Sequence, residues 1–186
     1  MLRRVSVASF ALVALALSLS ALSAEIPATV EKAEIPNYLR IRPDLATAGQ
    51  PAPDAIRKLR EMGFRTVVNL RTDKEGAAAE GPVIEAQGLR YVWIPVTQDT
   101  FSLADVEAVG RVLDDASAFP VLVHCASSNR VGGAWAVLES KKGKNLDEAL
   151  AAGRAAGLHS PEMEAAVRRV LGVPETAPPA PAAAKP

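Results

Sequence analysis

Two hydrophobic rhythms share the middle of the chain. Three short runs, 66–70, 89–96 and 120–124, are largely apolar and rich in valine, and a run of that length and composition reads as a buried strand. Around them apolar residues recur at intervals of three and four, the spacing of one helix face. Segment 53–62 puts Ile56, Leu59 and Met62 on one side and stops at Gly63, a helix-ending signal. Segment 81–87 is a short helix with Pro82 in its first turn, where a missing N–H is harmless. Ser102, with Asp105 three residues on, caps a helix whose Leu103, Val106, Val109, Val112 and Leu113 face inward. Further helices are predicted over 131–142, 146–156 and 161–171, the last capped by Ser160. Strands alternating with helices predict an α/β fold, a single mainly parallel sheet flanked by helices. The 120–124 run is apolar on both faces and is assigned the middle of the sheet. Ligands of such sheets sit beyond the carboxyl ends of the strands, so the site is expected after Leu70, Val96 and His124.

The ends follow neither rhythm. Arg3 and Arg4 precede an uncharged apolar run, and small residues follow at Ala21, Ser23 and Ala24. This is the pattern of a secretory signal peptide over 1–24, with a membrane anchor as the alternative. Loss of Arg3 and Arg4 from 21 basic residues leaves 19 against 21 acidic ones. The expected location is secreted, most simply a bacterial periplasm, which is an oxidising compartment. Residues 174–186 hold five Pro and five Ala among 13 and read as a disordered tail. Residues 25–37 are weakly patterned and read as a leader, which leaves 38–173 as the folded domain.

Composition narrows the function classes. With 186 residues, 49% of them apolar, the chain is a one-domain globular protein. Equal numbers of acidic and basic residues argue against nucleic acid as the main partner. One Cys and two His rule out a disulfide framework within the chain and argue against a metal site of protein ligands. No cofactor is expected, and the mature chain is expected to be a monomer without stable membrane association.

Chemistry concentrates after the third run, in His124-Cys125-Ala126-Ser127-Ser128-Asn129-Arg130 followed by Val131-Gly132-Gly133. A Cys between a buried strand and a helix start meets unpaired N–H groups and a partial positive charge. Both stabilise a thiolate, and both attract an oxyanion. The wrapped backbone of Ala126, Ser127, Ser128 and Asn129 would aim further amides inward as an anion nest. Arg130 adds a planar fork of donors that matches phosphate or sulfate oxygens. A buried structural Cys is the competing reading, and the Arg five residues later tips the balance toward a nucleophile. Arg71, after the first strand, is a candidate for binding the substrate anion or for a structural ion pair. Gln50 either hydrogen-bonds toward the site or closes its turn. The ring of His124 is expected to point away from the nucleophile and to orient the loop.

In these residues the sequence resembles the Cys-dependent protein tyrosine and dual-specificity phosphatases. The nearer resemblance is to the phosphatase-like domain family of the beta-lactamase-hydrolase-like proteins. It is carried by Gly49-Gln50-Pro51, Val68-Asn69-Leu70-Arg71, the segment from His124 to Gly132, Glu148-Ala149-Leu150, Gly153-Arg154 and Gly157-Leu158. It implies a hydrolase of phosphomonoesters that works through a phospho-cysteine on Cys125, with a phosphorylated small molecule or protein as substrate. It also implies an acid on a loop before the Cys, and Asp99, 26 positions earlier, is the first choice. Asp105 fits a helix-capping role better. Two departures stand out. Four residues separate Cys125 from Arg130 where the tyrosine phosphatases have five, and Val131 stands where they have Ser or Thr. Ser127 or Ser128 is a possible replacement for that hydroxyl, although Ser128 takes a position where Gly is usual. The shorter spacing is similar to the active loop of rhodaneses, so sulfur transfer through a Cys125 persulfide is the second reading. A non-catalytic oxyanion-binding module is the third.

Overall fold

In the computed structural model, which describes residues 25–174, five strands form one sheet. The strands are β1 (Leu39–Arg42), β2 (Leu45–Ala48), β3 (Thr66–Asn69), β4 (Arg90–Trp93) and β5 (Val121–His124). Their order is β1-β2-β5-β3-β4, with β1 antiparallel to β2 and all other pairs parallel. The expected mainly parallel sheet is therefore present, and β5 takes its centre. The signal-peptide and tail assignments lie outside the described residues.

The helices are α1 (Pro53–Ile56), α2 (Ala77–Glu85), α3 (Leu103–Leu113), α4 (Asn129–Lys141), α5 (Leu146–Ala155) and α6 (Pro161–Val170). They cover both faces of the sheet, because its strands are apolar on both. Val121 and Val123 of β5 join one core cluster with α3, α4 and α6, while Leu122 joins a second with residues of α1 and α2. Ser102 and Asp105 form the expected reciprocal cap of α3.

Three expectations need correction. The leader is part of the fold: Ile26 and Ile35 are buried in the second cluster. The Ile26 amide bonds to Pro43 O, and Glu34 O and Pro36 O accept from Ala52 and Gly49. Its two apolar anchors are nine residues apart, so neither periodicity reveals them. The helix expected over 53–62 stops after Ile56. The Gln87 side-chain amide donates to Ile56 O and accepts from Arg60 N, taking both ends of the next helical bond. Finally, α2 begins at Ala77, so Pro82 lies inside it rather than in its first turn.

Strands β1 and β2 had no signal in the pattern. Leu45-Ala46-Thr47-Ala48 is wholly buried, but its small residues do not separate strand from helix.

Candidate active site

The parallel register aligns the strand ends. Ala48, His124 and Asn69 are paired across β2, β5 and β3, and Trp93 pairs with Asn69. The segments starting at Gly49, Leu70, Ile94 and Cys125 therefore leave the sheet at one edge. Cys125 lies at its centre, and the residue is fully buried in the floor of its loop.

The loop is held from its outer side. Cys125 N donates to Ala48 O, and Gln50 N donates to Ala126 O. Asn37, in the left-handed region at φ 52°, donates its side-chain amide to Ser127 O. Carbonyls fixed outward leave the amides to turn the other way. An antiparallel bridge between Gly49 and Ser127 ties the loop to the end of β2, while among the described residues no acceptor is found for the backbone N–H of Ala126 or of residues 129–131. Four unspent donors beside a thiol, at the start of the 13-residue helix α4, form an anion cradle.

Arg130 closes the cradle, and Glu75 orients it. Its Nη1 donates to Glu75 Oε2 at 2.9 Å and Val96 O at 2.7 Å, and its Nη2 to Glu75 Oε1 at 2.6 Å. Leu70 O lies at 3.3 Å from Nη1. Among the described residues Nε–H and the second Nη2 hydrogen have no oxygen acceptor, and the guanidinium is within hydrogen-bond reach of the Cys125 sulfur, so its remaining edge lies where an oxyanion on that sulfur would bind. Burial works to lower the Arg130 pKa; the Glu75 bonds and the nearby Cys125 sulfur more than offset it and leave it raised. Glu75 is held down to about 2, chiefly by its hydrogen bond from Arg130. Thr72 fixes Glu75 in turn, its N and Oγ1 donating to Oε2 at 2.8 and 2.9 Å. Sequence reasoning missed Glu75; the only signal was a Thr72-x-x-Glu75 capping pattern after β3.

Several expected site residues do other work. Ser128 adopts φ 73°, the left-handed conformation that favours Gly, and its buried Oγ donates to Ala156 O at 3.2 Å. It is turned away from Cys125 and cannot supply the missing hydroxyl. Asn129 donates to Ser160 Oγ and accepts from His159 N and Ser160 N, so its side chain ties α4 to the start of α6. Asn129 offers the anion only its amide, as does Ala126; the Ser127 side chain makes no hydrogen bond among the described residues. Val131 is packed in the core.

Arg71 makes a structural ion pair through its Nη1. It is bound by Gln50 Oε1 at 2.5 Å and Glu80 Oε2 at 3.3 Å, beneath the loop. Glu80 also accepts from Gln50 at 2.8 Å and Asn69 at 3.2 Å, and it lies 2.8 Å from His124 Nε2. Burial works to raise the Glu80 pKa, but the His124 and Gln50 bonds and the Arg71 charge leave it lowered. An ionised carboxylate only accepts, so His124 Nε2 carries the hydrogen, and Nδ1 is buried without a partner. Alternation along β5 puts this ring on the face opposite Cys125, as expected. Asp99 is exposed at the tip of the segment after β4.

Residues 37–142 match the family described as "Beta-lactamase hydrolase-like protein, phosphatase-like domain". The chain belongs to this family. The phosphatase-like domain is 34% identical over 119 residues to the beta-lactamase hydrolase-like protein of Xylella fastidiosa (strain Temecula1 / ATCC 700964), covering 61% of this chain and 27% of that one. The Agrobacterium fabrum protein of the same name is 33% identical over 97 residues, covering 50% and 22%. The chain thus spans about a quarter of the length of these relatives.

Among solved structures, a DUF442 protein of Shewanella putrefaciens CN-32 is 26% identical with a TM-score of 0.57, covering 73% of this chain and 91% of that one. P. aeruginosa TpbA in complex with pTyr is 23% identical with a TM-score of 0.60, covering 83% and 93%. The second likeness is one of fold. The phosphatase-like domain accordingly has the mixed sheet and the strand–loop–helix of Cys-dependent phosphatases.

Proposed function

We propose that this chain hydrolyses phosphomonoesters through a phospho-cysteine on Cys125. The observation that carries this reading is the set of unspent donors in the loop that starts at Cys125: four backbone amides and one edge of Arg130. The Cys125 thiolate attacks phosphorus while those donors hold the equatorial oxygens, whose charge is shared in the transition state. Asp99 gives its proton to the leaving oxygen. Water then attacks the phospho-cysteine, the S–P bond breaks, and phosphate leaves with the thiolate restored. No step calls for a metal. The substrate class is a phosphorylated small molecule or protein.

The test is phosphate release from p-nitrophenyl phosphate under reducing conditions, with Cys125→Ser beside wild type. Release lost in Cys125→Ser, with inorganic phosphate still bound by that variant, supports the reading. Equal release by both proteins refutes it. The four-residue spacing from Cys125 to Arg130 favours sulfur transfer as the second reading, and that reading needs no acid. Cyanide-dependent transfer of sulfur from thiosulfate that survives Asp99→Asn would support it instead.

A further inference from the structure

The segment between β4 and α3 is fastened at several points along its backbone. Its first residue against the site, Val96, is buried and gives its carbonyl to Arg130 at 2.7 Å. Its last, Phe101, is buried in the core cluster that also holds residues of α3 and α6. Thr97 and Thr100 close the turn between them with reciprocal bonds. Thr97 N donates to Thr100 Oγ1 and Thr100 N to Thr97 Oγ1, both at 3.1 Å, and the hydroxyls lie 2.9 Å apart. From the far end of α6, Arg169 Nη2 reaches Gln98 O at 3.3 Å and Phe101 O at 3.5 Å. Asp99 stands at the tip of this turn, and its carboxylate has no hydrogen bond among the described residues. Six residues are thus fastened at both ends, stapled across the middle and braced from another helix. A turn that served only to connect β4 to α3 would need none of the last two.

We propose that this turn is a pre-formed carrier of the general acid, and that Arg169, Thr97 and Thr100 are positioning residues for proton transfer from Asp99. The inference rests on the phosphatase reading above. In the step concerned the P–O bond breaks, and its electron pair and the Asp99 proton both go to the leaving oxygen. Orientation matters because proton transfer needs the donor within hydrogen-bond reach of that oxygen. An ester whose leaving group is already acidic has little need of the proton, so misplacing the acid hurts a poor leaving group selectively.

Arg169 is exposed, so Arg169→Ala leaves the core untouched. The experiment measures kcat of the full chain on phenyl phosphate and on p-nitrophenyl phosphate. Asp99→Asn should lose about 100-fold or more on phenyl phosphate, the ordinary worth of a general acid. Arg169→Ala should lose about tenfold there and less than about twofold on p-nitrophenyl phosphate. The Thr97→Val/Thr100→Val double variant should show the same selectivity. Adding Arg169→Ala to Asp99→Asn should cost nothing further, since residues that act through one group are not additive. Equal losses on both esters, no loss on either, or additivity with Asp99→Asn would overturn the assignment while leaving the phosphatase reading intact. A wild type inert on both esters overturns that reading and this assignment with it.

Discussion

Replacing Glu75 by alanine removes the carboxylate that holds two of the Arg130 hydrogen bonds, at 2.6 and 2.9 Å. A bond to a charged group is worth about 1.5–3 kcal/mol when shielded. The Glu75 side chain is 32% exposed, and exposed pairs measure at most about 1 kcal/mol. Between those limits the orienting energy is about 1–2 kcal/mol, since Val96 O still holds Nη1. At about 1.4 kcal/mol per tenfold in rate, kcat should fall roughly tenfold. Ground-state binding should respond differently. The lost carboxylate also repelled the anion, so its removal strengthens attraction to Arg130 while orientation is lost. The two changes oppose each other, and inhibition by inorganic phosphate should shift by less than about threefold. The assay is kcat and KM on p-nitrophenyl phosphate together with the phosphate inhibition constant. A kcat unchanged in Glu75→Ala would show that Val96 O and packing orient Arg130 by themselves. A loss confined to KM would show that Glu75 acts on binding rather than on the transition state.

Gly132→Ala should destabilise the fold by about 3 kcal/mol or more, because a Cβ there would collide with Leu158 N and meet Gly153 O at 2.7 Å; urea unfolding reads the loss, and a midpoint within error of wild type would refute it. Glu80→Ala should cost about 3–5 kcal/mol, the range for breaking a buried pair, since Arg71, Gln50 and His124 lose a shared acceptor; a Tm unchanged from wild type would contradict this. The Glu75 carboxyl lies at about 2 against an ordinary 4.5, so its pair stabilises the fold fully above 4.5 and loses that contribution as pH falls toward 2. Acid titration of unfolding free energy should therefore drop by about 1 kcal/mol more in wild type than in Glu75→Gln, after allowance for screening. Asn37→Ala should lower kcat several-fold with a stability change of about 1 kcal/mol, because Ser127 O loses the donor that keeps it turned outward; equal kcat values would show that the Gly49–Gln50 contacts suffice.

The proposed nucleophile and the strand–loop–helix around it were readable in one stretch, because local order is enough to make them. A strand, a thiol, a short polar loop, an Arg and a helix start follow one another from His124 to Val131, and a helix start presents its amides whatever surrounds it. The roles of the neighbouring side chains were not readable in that way. Ser128 and Asn129 look like anion ligands in sequence, yet they pack toward Ala156 and Ser160. Arg71 looks like a second clamp, yet its Nη1 is engaged by Gln50 and Glu80. In each case the partner lies between nine and 31 residues away, and no local pattern specifies it.

Periodicity by itself determined the α/β class and the central place of β5, and the residue order after β5 pointed to Cys125 and Arg130 as the core of the proposed site. These follow from short-range physics: the two-residue pleat, the 3.6-residue turn and the unpaired groups at a helix end. Only the tertiary structure decided that residues 25–37 belong to the fold, that Glu75 aims Arg130 and that Arg169 braces the Asp99 turn. The reason is distance along the chain. Glu75 reaches Arg130 across 55 residues and Arg169 reaches Gln98 across 71, pairings fixed by the order β1-β2-β5-β3-β4 and by the packing of helices on it rather than by any spacing in the sequence.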